Sequence, residues 1–292
     1  MQRFKLAMLR RTPVLFLSHG GGPCFFMDGK EFPMFADIDK HSSAKLFLEN
    51  VVTNIKSEGY DVKYILIISA HWEETNHQVT YHMKPTPLLY DYYGFPEFTY
   101  CLEYKPPTDL NLADSVIKLL EKNNIICEKS TRGFDHGTFI PLLLANKEQD
   151  IPVVQLSLVT NLNCAHHFKL GEILSELRNE GVLIIGSGAI THNLREFSNV
   201  GKNVPAPHTK DFTDYVFNLI ESKESSDFEQ YREKFMKIME VAPSASRCHP
   251  RVEHLIPLIV AAGAGSTSRG KRIFNFTCMG TFSLDSYIWK EQ

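Results

Sequence analysis

Several common signatures are missing from this chain of 292 residues. It has no C-x-x-C pair, no H-E-x-x-H helix and no G-x-x-x-x-G-K-[ST] loop, which removes the usual zinc-finger, zincin and P-loop chemistries. Gly186-Ser187-Gly188 lacks the spacing of a serine-hydrolase elbow. Gly20-Gly21-Gly22 is followed by Pro23-Cys24-Phe25-Phe26, which does not continue a dinucleotide fingerprint. Excess positive charge is missing too. The 31 Lys and Arg against 34 Asp and Glu give a net charge of −3, so there is no basic footprint for nucleic acid. Long apolar runs are also absent: Leu255 to Ala264 stops well short of the roughly 20 residues that a membrane span needs. Met1 to Arg11 has neither the apolar stretch nor the cleavage site of a secretory signal. The six cysteines (Cys24, Cys101, Cys127, Cys164, Cys248, Cys278) are widely scattered, and without a secretion signal they read as reduced thiols. A cytosolic protein is the expectation.

The composition that remains, 43% hydrophobic and 22% charged, is that of a globular chain with a large core. Buried strands are expected at Pro13–Leu17, Tyr64–Ile68, Val153–Ser157 and Gly181–Gly188, with a hairpin strand at Gln78–His82 and a last strand at Arg272–Thr277. Helices are expected near Ala44–Glu58, Leu110–Asn123, Thr138–Asn146, from an Asn163 cap to Asn179, across Pro207–Glu240, and at Leu255–Ala262. The charged, serine-rich Glu221–Asp227 interrupts the long polar stretch as a surface connection. The alternation predicts an α/β sandwich. Its central sheet is mostly parallel or mixed and covered by helices on both faces, forming one domain over residues 1–292.

Histidine placement carries the functional information. His19 and His71 each follow a buried strand, and ligands of open α/β sheets bind beyond the carboxyl ends of strands. Imidazole is the commonest metal-binding side chain, so the pair points to a metal site. Of the 12 histidines, three more have settings unlike solvated surface. His136 sits in a glycine-flanked loop entering a helix, His192 lies just past a third strand end, and His254 leads into an apolar helix. Pro257 marks a helix start or a kink near His254, because its missing N–H leaves the Glu253 carbonyl without a helical donor. His249 competes with His254, but on a regular helix they lie about 140° apart. Glu253 competes as a carboxylate ligand. His41, His77, His82, His166, His167 and His208 have polar or surface-like surroundings.

Five segments, taken in order, resemble the class III extradiol ring-cleavage dioxygenases, most closely those of the DOPA 4,5-dioxygenase type. They are Ser18-His19-Gly20, Ser69-Ala70-His71-Trp72, Gly133-Phe134-Asp135-His136-Gly137, Gly186-Ser187-Gly188 with Thr191-His192-Asn193-Leu194, and Pro250 with Glu253-His254-Leu255-Ile256-Pro257-Leu258. The aromatic loop Asp91-Tyr92-Tyr93-Gly94-Phe95-Pro96 matches that subgroup. The resemblance implies one divalent metal ion per chain and insertion of both atoms of O2 into a catechol beside its hydroxyls. It implies His19, His71 and His254 as metal ligands, with His254 standing where the protocatechuate-cleaving branch has a glutamate. His192 becomes a fourth group, a ligand at rest that moves aside to act as general base, and His136 an acid/base or hydrogen-bonding residue of the pocket. An all-imidazole site suits Zn(2+) as well as Fe(2+).

The expected partners are a small catechol, DOPA-like or a related catecholic acid, and O2, with neither nucleic acid nor membrane. The tyrosine-rich loop at Leu89–Phe98 suits ring stacking, internal packing or a homo-oligomer contact. Two other readings compete. One is a zinc-binding relative without oxygenase activity, serving as a binding or regulatory protein. The other is a zinc-water hydrolase with His136 or His192 as base.

Overall fold

In the computed structural model, residues 10–197, 204–221 and 227–291 are described. Most of Met1–Arg11 and of the Glu221–Asp227 connection lies outside them. The strands are β1 (Val14–Ser18), β2 (Tyr64–Glu74), β3 (His77–Thr80), β4 (Cys127–Ser130), β5 (Val153–Val159), β6 (Val182–Gly188), β7 (Gly270–Phe274), β8 (Thr277–Cys278), β9 (Phe282–Ser283) and β10 (Ser286–Trp289). Eight of them form one sheet in the order β4-β3-β5-β2-β6-β1-β10-β7. Its centre, β5-β2-β6-β1, is parallel, while β3, β10 and β7 add antiparallel pairings. The sheet is therefore mixed, and the α/β expectation holds.

The helices are α1 (Ser43–Ser57), α2 (Leu110–Lys122), α3 (His136–Ala145), α4 (Cys164–Leu174), α5 (Pro207–Glu221), α6 (Phe228–Met236), the short α7 (Ile238–Val241) and α8 (Ala245–Cys248), and α9 (Ile256–Ala264). Their starts follow local chemistry. Ser42, Asp109 and Asn163 each accept a hydrogen bond from a first-turn N–H with their side chains, satisfying donors that the helix leaves open. Strand alternation then splits the core in two. Leu15, Leu17, Ile65, Ile67, Leu183 and Ile185 face α1 and α3. Phe16, Leu66, Ile68 and Ile184 face α2, α4 and α9. Both faces are covered, and each large apolar side chain buried this way contributes roughly 1.5–3 kcal/mol.

The structure corrects several local expectations. β2 does not stop before His71 but runs to Glu74, because after a register shift it pairs again with β5 at Glu73 and Glu74. The strand after it forms no hairpin with β2, since β5 lies between them. The helix expected to reach Asn179 ends at Leu174, and a 3-10 turn, Ser175–Glu180, closes on Gly181 with φ 86°. The last strand is β10, inserted between β1 and β7, and β4 was not anticipated. Pro257 sits in the first turn of α9 and so marks a start rather than a kink.

Three histidines expected near the surface are buried: His77, His167 and His208. His167 donates through Nδ1 to the Asn163 carbonyl and accepts the Val159 N–H at Nε2, so it fits only as the neutral ring. His249 donates through Nε2 to the Ile190 carbonyl, and its buried Nδ1 has no partner for an added proton. Burial holds His167 down to about 3, and His77 and His249 to about 4. The unfolded chain, with histidine near 6.5, then binds more protons than the folded one in the interval below that value. Stability should be full above pH 6.5 and fall as the pH drops towards 4. Urea midpoints across this range check it: the wild type should lose stability steeply, and His167→Gln should show a shallower slope.

Candidate metal centre

β1 and β2 both border β6, so their carboxyl ends lie two strand spacings apart, roughly 10 Å. Side chains from the two ends can meet over β6 only if its own end is small. Gly186-Ser187-Gly188 meets that need. A Cβ on Gly186 would stand 2.1 Å from the Pro257 carbonyl oxygen, and one on Gly188 2.2 Å from that of His254. These glycines let the start of α9 settle directly on β6, and the Ala189 N–H donates to the His254 carbonyl. His19 from the end of β1, His71 from β2 and His254 from before α9 thereby converge.

The contact is made through ring nitrogens. His71 Nε2 lies 3.1 Å from His19 Nε2 and 3.2 Å from His254 Nε2. Hydrogen bonds on the far side of two rings decide what these atoms carry. Ser187 Oγ gives its single proton to the Gly137 carbonyl, so towards His19 Nδ1, 3.0 Å away, it accepts. His254 Nδ1 donates to Glu253 Oε1 at 2.9 Å. Both rings therefore hold their proton on Nδ1 and present a bare lone pair at Nε2. One proton on His71 serves one of these two contacts, whereas a shared cation would serve all three nitrogens. Burial, reinforced by the neighbouring imidazoles, keeps all three histidines well below the usual histidine range. Neutral imidazole with an anchored Nδ1–H is the form that ligates divalent metals, and the residues fit such an ion.

Two overlapping groups, His71–Asp91–His136 and His192–Glu253–His254, also gather ligand atoms. Their close contacts run between Nδ1 and a carboxylate, His136 to Asp91 at 2.8 Å and His254 to Glu253 at 2.9 Å, and a proton satisfies those. His192 does not join the three converging nitrogens. Its ring stacks on His254 with centroids 3.5 Å apart, and its Nδ1 is 3.7 Å from Glu253 Oε1. Burial, with His136 adding, pulls His192 down to about 4. His136 opens α3, and its Nδ1–H and backbone N–H both donate to Asp91 Oδ1. Burial pushes Asp91 up, but the hydrogen bonds and charge of His136 outweigh it, and Asp91 is held below the usual carboxylate range. Burial raises Glu253. His249 points away, to the Ile190 carbonyl.

A model of the catalytic LigB subunit of aromatic ring-opening dioxygenases matches residues 13–285. The chain belongs to this family, the class III extradiol dioxygenases. It is 36% identical over 275 residues to a 4,5-DOPA dioxygenase extradiol of Beta vulgaris, covering 93% of this chain and 94% of that one. A protein of the same description from Mirabilis jalapa is 32% identical over 253 residues, covering 86% and 91%. The crystal structure of an uncharacterised protein of Escherichia coli K12 superposes with a TM-score of 0.73 at 26% identity, covering 95% of this chain and 99% of that one.

In this family member the three histidines form one end of a cavity of about 380 Å3, which His136 and His192 also line. Sequence reasoning overlooked the groups behind them. Buried Asp135 accepts from Ser69 Oγ, Arg132 Nη1 and Gln155 Nε2, and Arg132 also donates to the His71 carbonyl, so this network sets where β2 delivers His71. Asp91 is the one carboxylate of the segment Asp91–Pro96, a signal that was available. Ser187 gave none, because its role depends on which strands neighbour β6. Ser187→Ala should keep the fold but weaken metal binding about 10–100-fold, as loss of a ligand's hydrogen-bond anchor does. Competition with a zinc chelator measures it. Unchanged affinity would mean that Ser187 does not fix the His19 tautomer.

Proposed function

We propose that this chain is a metal-dependent extradiol dioxygenase that opens a catechol ring with O2. The observation that supports it most is the set of three converging Nε2 atoms, two of them deprived of a proton by Ser187 and Glu253, at the end of a mainly apolar cavity. A divalent metal held by His19, His71 and His254, when it is Fe(2+), would bind the two catechol oxygens and supply the redox capacity for ring opening by O2.

The remaining groups handle protons. His136 holds Nδ1–H on Asp91 and lines the cavity, so its other ring nitrogen is placed to exchange a hydrogen bond or proton with a substrate hydroxyl. The Asp91 charge stabilises the imidazolium that results. His192, free of a proton at neutral pH, takes the second hydroxyl proton and returns it readily. Its stacking on His254 holds it beside the ligand set without occupying a place in it. The apolar lining excludes water from the reacting ring. The six free cysteines fit a reducing compartment, and we place the protein in the cytosol.

Iron-reconstituted protein should turn a member of a catechol panel into a yellow ring-cleavage product with O2 uptake. His254→Ala should lose both metal and activity. His192→Ala should retain iron by elemental analysis while its rate falls about 10²–10⁴-fold. Iron binding without cleavage of any catechol would favour the non-oxygenase reading. Loss of iron in His192→Ala with retention in His254→Ala would reverse the two roles.

A further inference from the structure

Beyond the histidines, the cavity has aromatic and aliphatic walls. Phe35 and Phe95 pack with ring centroids 5.7 Å apart, Phe95 meets Tyr92 at 5.4 Å, and Tyr92 meets His136 at 5.9 Å. Phe35 and Phe95 face the cavity, and buried Tyr92 behind them links Phe95 to His136. Gly22 permits this placement of Phe95, since a Cβ there would stand 3.0 Å from the Phe95 ring at a φ of +57°. A second aromatic pair, Phe197 and Phe282, also lines the cavity at 5.5 Å. Two further apolar lining residues, Met34 and Leu194, are 53% and 59% exposed, so the apolar lining reaches the surface.

The charged groups around the histidines are already engaged. Asp91 holds His136, Glu253 holds His254, and Arg251 is bidentate on Glu73. Arg132 is held by Asp135 and the His71 carbonyl. Among the described residues that line the cavity there is no Lys, Arg, Asp or Glu. An ammonium and carboxylate carried on the ring would shed hydration here without gaining an opposite charge, whereas an apolar substituent gains from the same walls.

We propose that this pocket selects catechols bearing an uncharged alkyl or aryl substituent over amino-acid catechols such as DOPA. The inference rests on the ring-cleavage reading above. In such a complex the two hydroxyls sit at the histidine end and the substituent lies along Phe95 and Phe35, with its tip between Met34 and Leu194.

The test is calorimetric titration of the iron-loaded protein under anaerobic conditions with 4-butylcatechol, L-DOPA and unsubstituted catechol, followed by aerobic kcat/KM for each. The Kd for 4-butylcatechol should be at least about ten-fold lower than for L-DOPA, since even one methylene in an apolar pocket discriminates on that scale. Phe35→Ala should weaken binding of 4-butylcatechol several-fold more than binding of unsubstituted catechol, and so remove most of the advantage of the butyl group; equal loss for both would count against the placement of the substituent. Leu194→Arg, at an exposed position that tolerates the change, should narrow the ratio about three-fold by giving the DOPA carboxylate a partner. Equal or tighter binding of L-DOPA, with cleavage of it, would overturn this inference and leave the dioxygenase reading standing. Failure of all three catechols to bind and react would overturn both.

Discussion

Two imidazole nitrogens without protons, on His19 and His254, face His71 Nε2 across about 3 Å inside the protein, and a single proton on His71 satisfies only one of them. A cation between the three would satisfy all of them. Much of the architecture nearby keeps the lone pairs bare and aimed. Ser187 commits its proton to Gly137 and so must accept from His19, while Glu253 takes the Nδ1–H of His254. Gly137 has the same spatial role as the glycines of β6: a Cβ on it would stand 2.4 Å from Ser69 Oγ and 3.0 Å from His71 Cδ2. The first turn of α3 is thereby brought against His71, and His136 arrives with it.

This arrangement separates holding from reacting. The three converging nitrogens come from the sheet and the start of α9, elements whose apolar residues are buried on both sides. His136 and His192 come from a helix N-terminus and a loop, and each is tied to a carboxylate that it touches or approaches, Asp91 or Glu253. Under the proposed function, the two groups that would exchange protons thus sit beside the proposed ligand set, each next to a carboxylate. The aromatic loop expected to stack or to mediate oligomer contacts turns mostly inward: Tyr90, Tyr92 and Phe95 pack with the core that includes Phe139, and Tyr93 is exposed.

The architecture was legible where periodicity was strong. The buried runs that became β1, β5 and β6 and the Asn163 cap appear close to where they were expected, and motif order disclosed the family. β10 was not legible, because Ser286–Trp289 is short and its pairing with β1 and β7 depends on distant residues. The two strand-end histidines were readable since each follows an apolar run. Burial of His77, His167 and His208 was not, because their polar neighbours in sequence conceal partners that only the fold supplies. The same holds for Ser187 and Asp135, whose hydrogen bonds cross between elements. Glu253 and His249 stood as rivals of His254 in the sequence, and hydrogen bonding separates them: one supports His254 and the other serves Ile190.

The most direct measurement is anomalous diffraction from crystals of the metal-loaded protein, which locates the ion independently of any activity. It should show one site per chain bound to the Nε2 atoms of His19, His71 and His254, at about 2.0–2.2 Å as imidazole ligation requires. An ion bound instead among His71, Asp91 and His136, or among His192, Glu253 and His254, would contradict the assignment of the three converging nitrogens as the metal ligands.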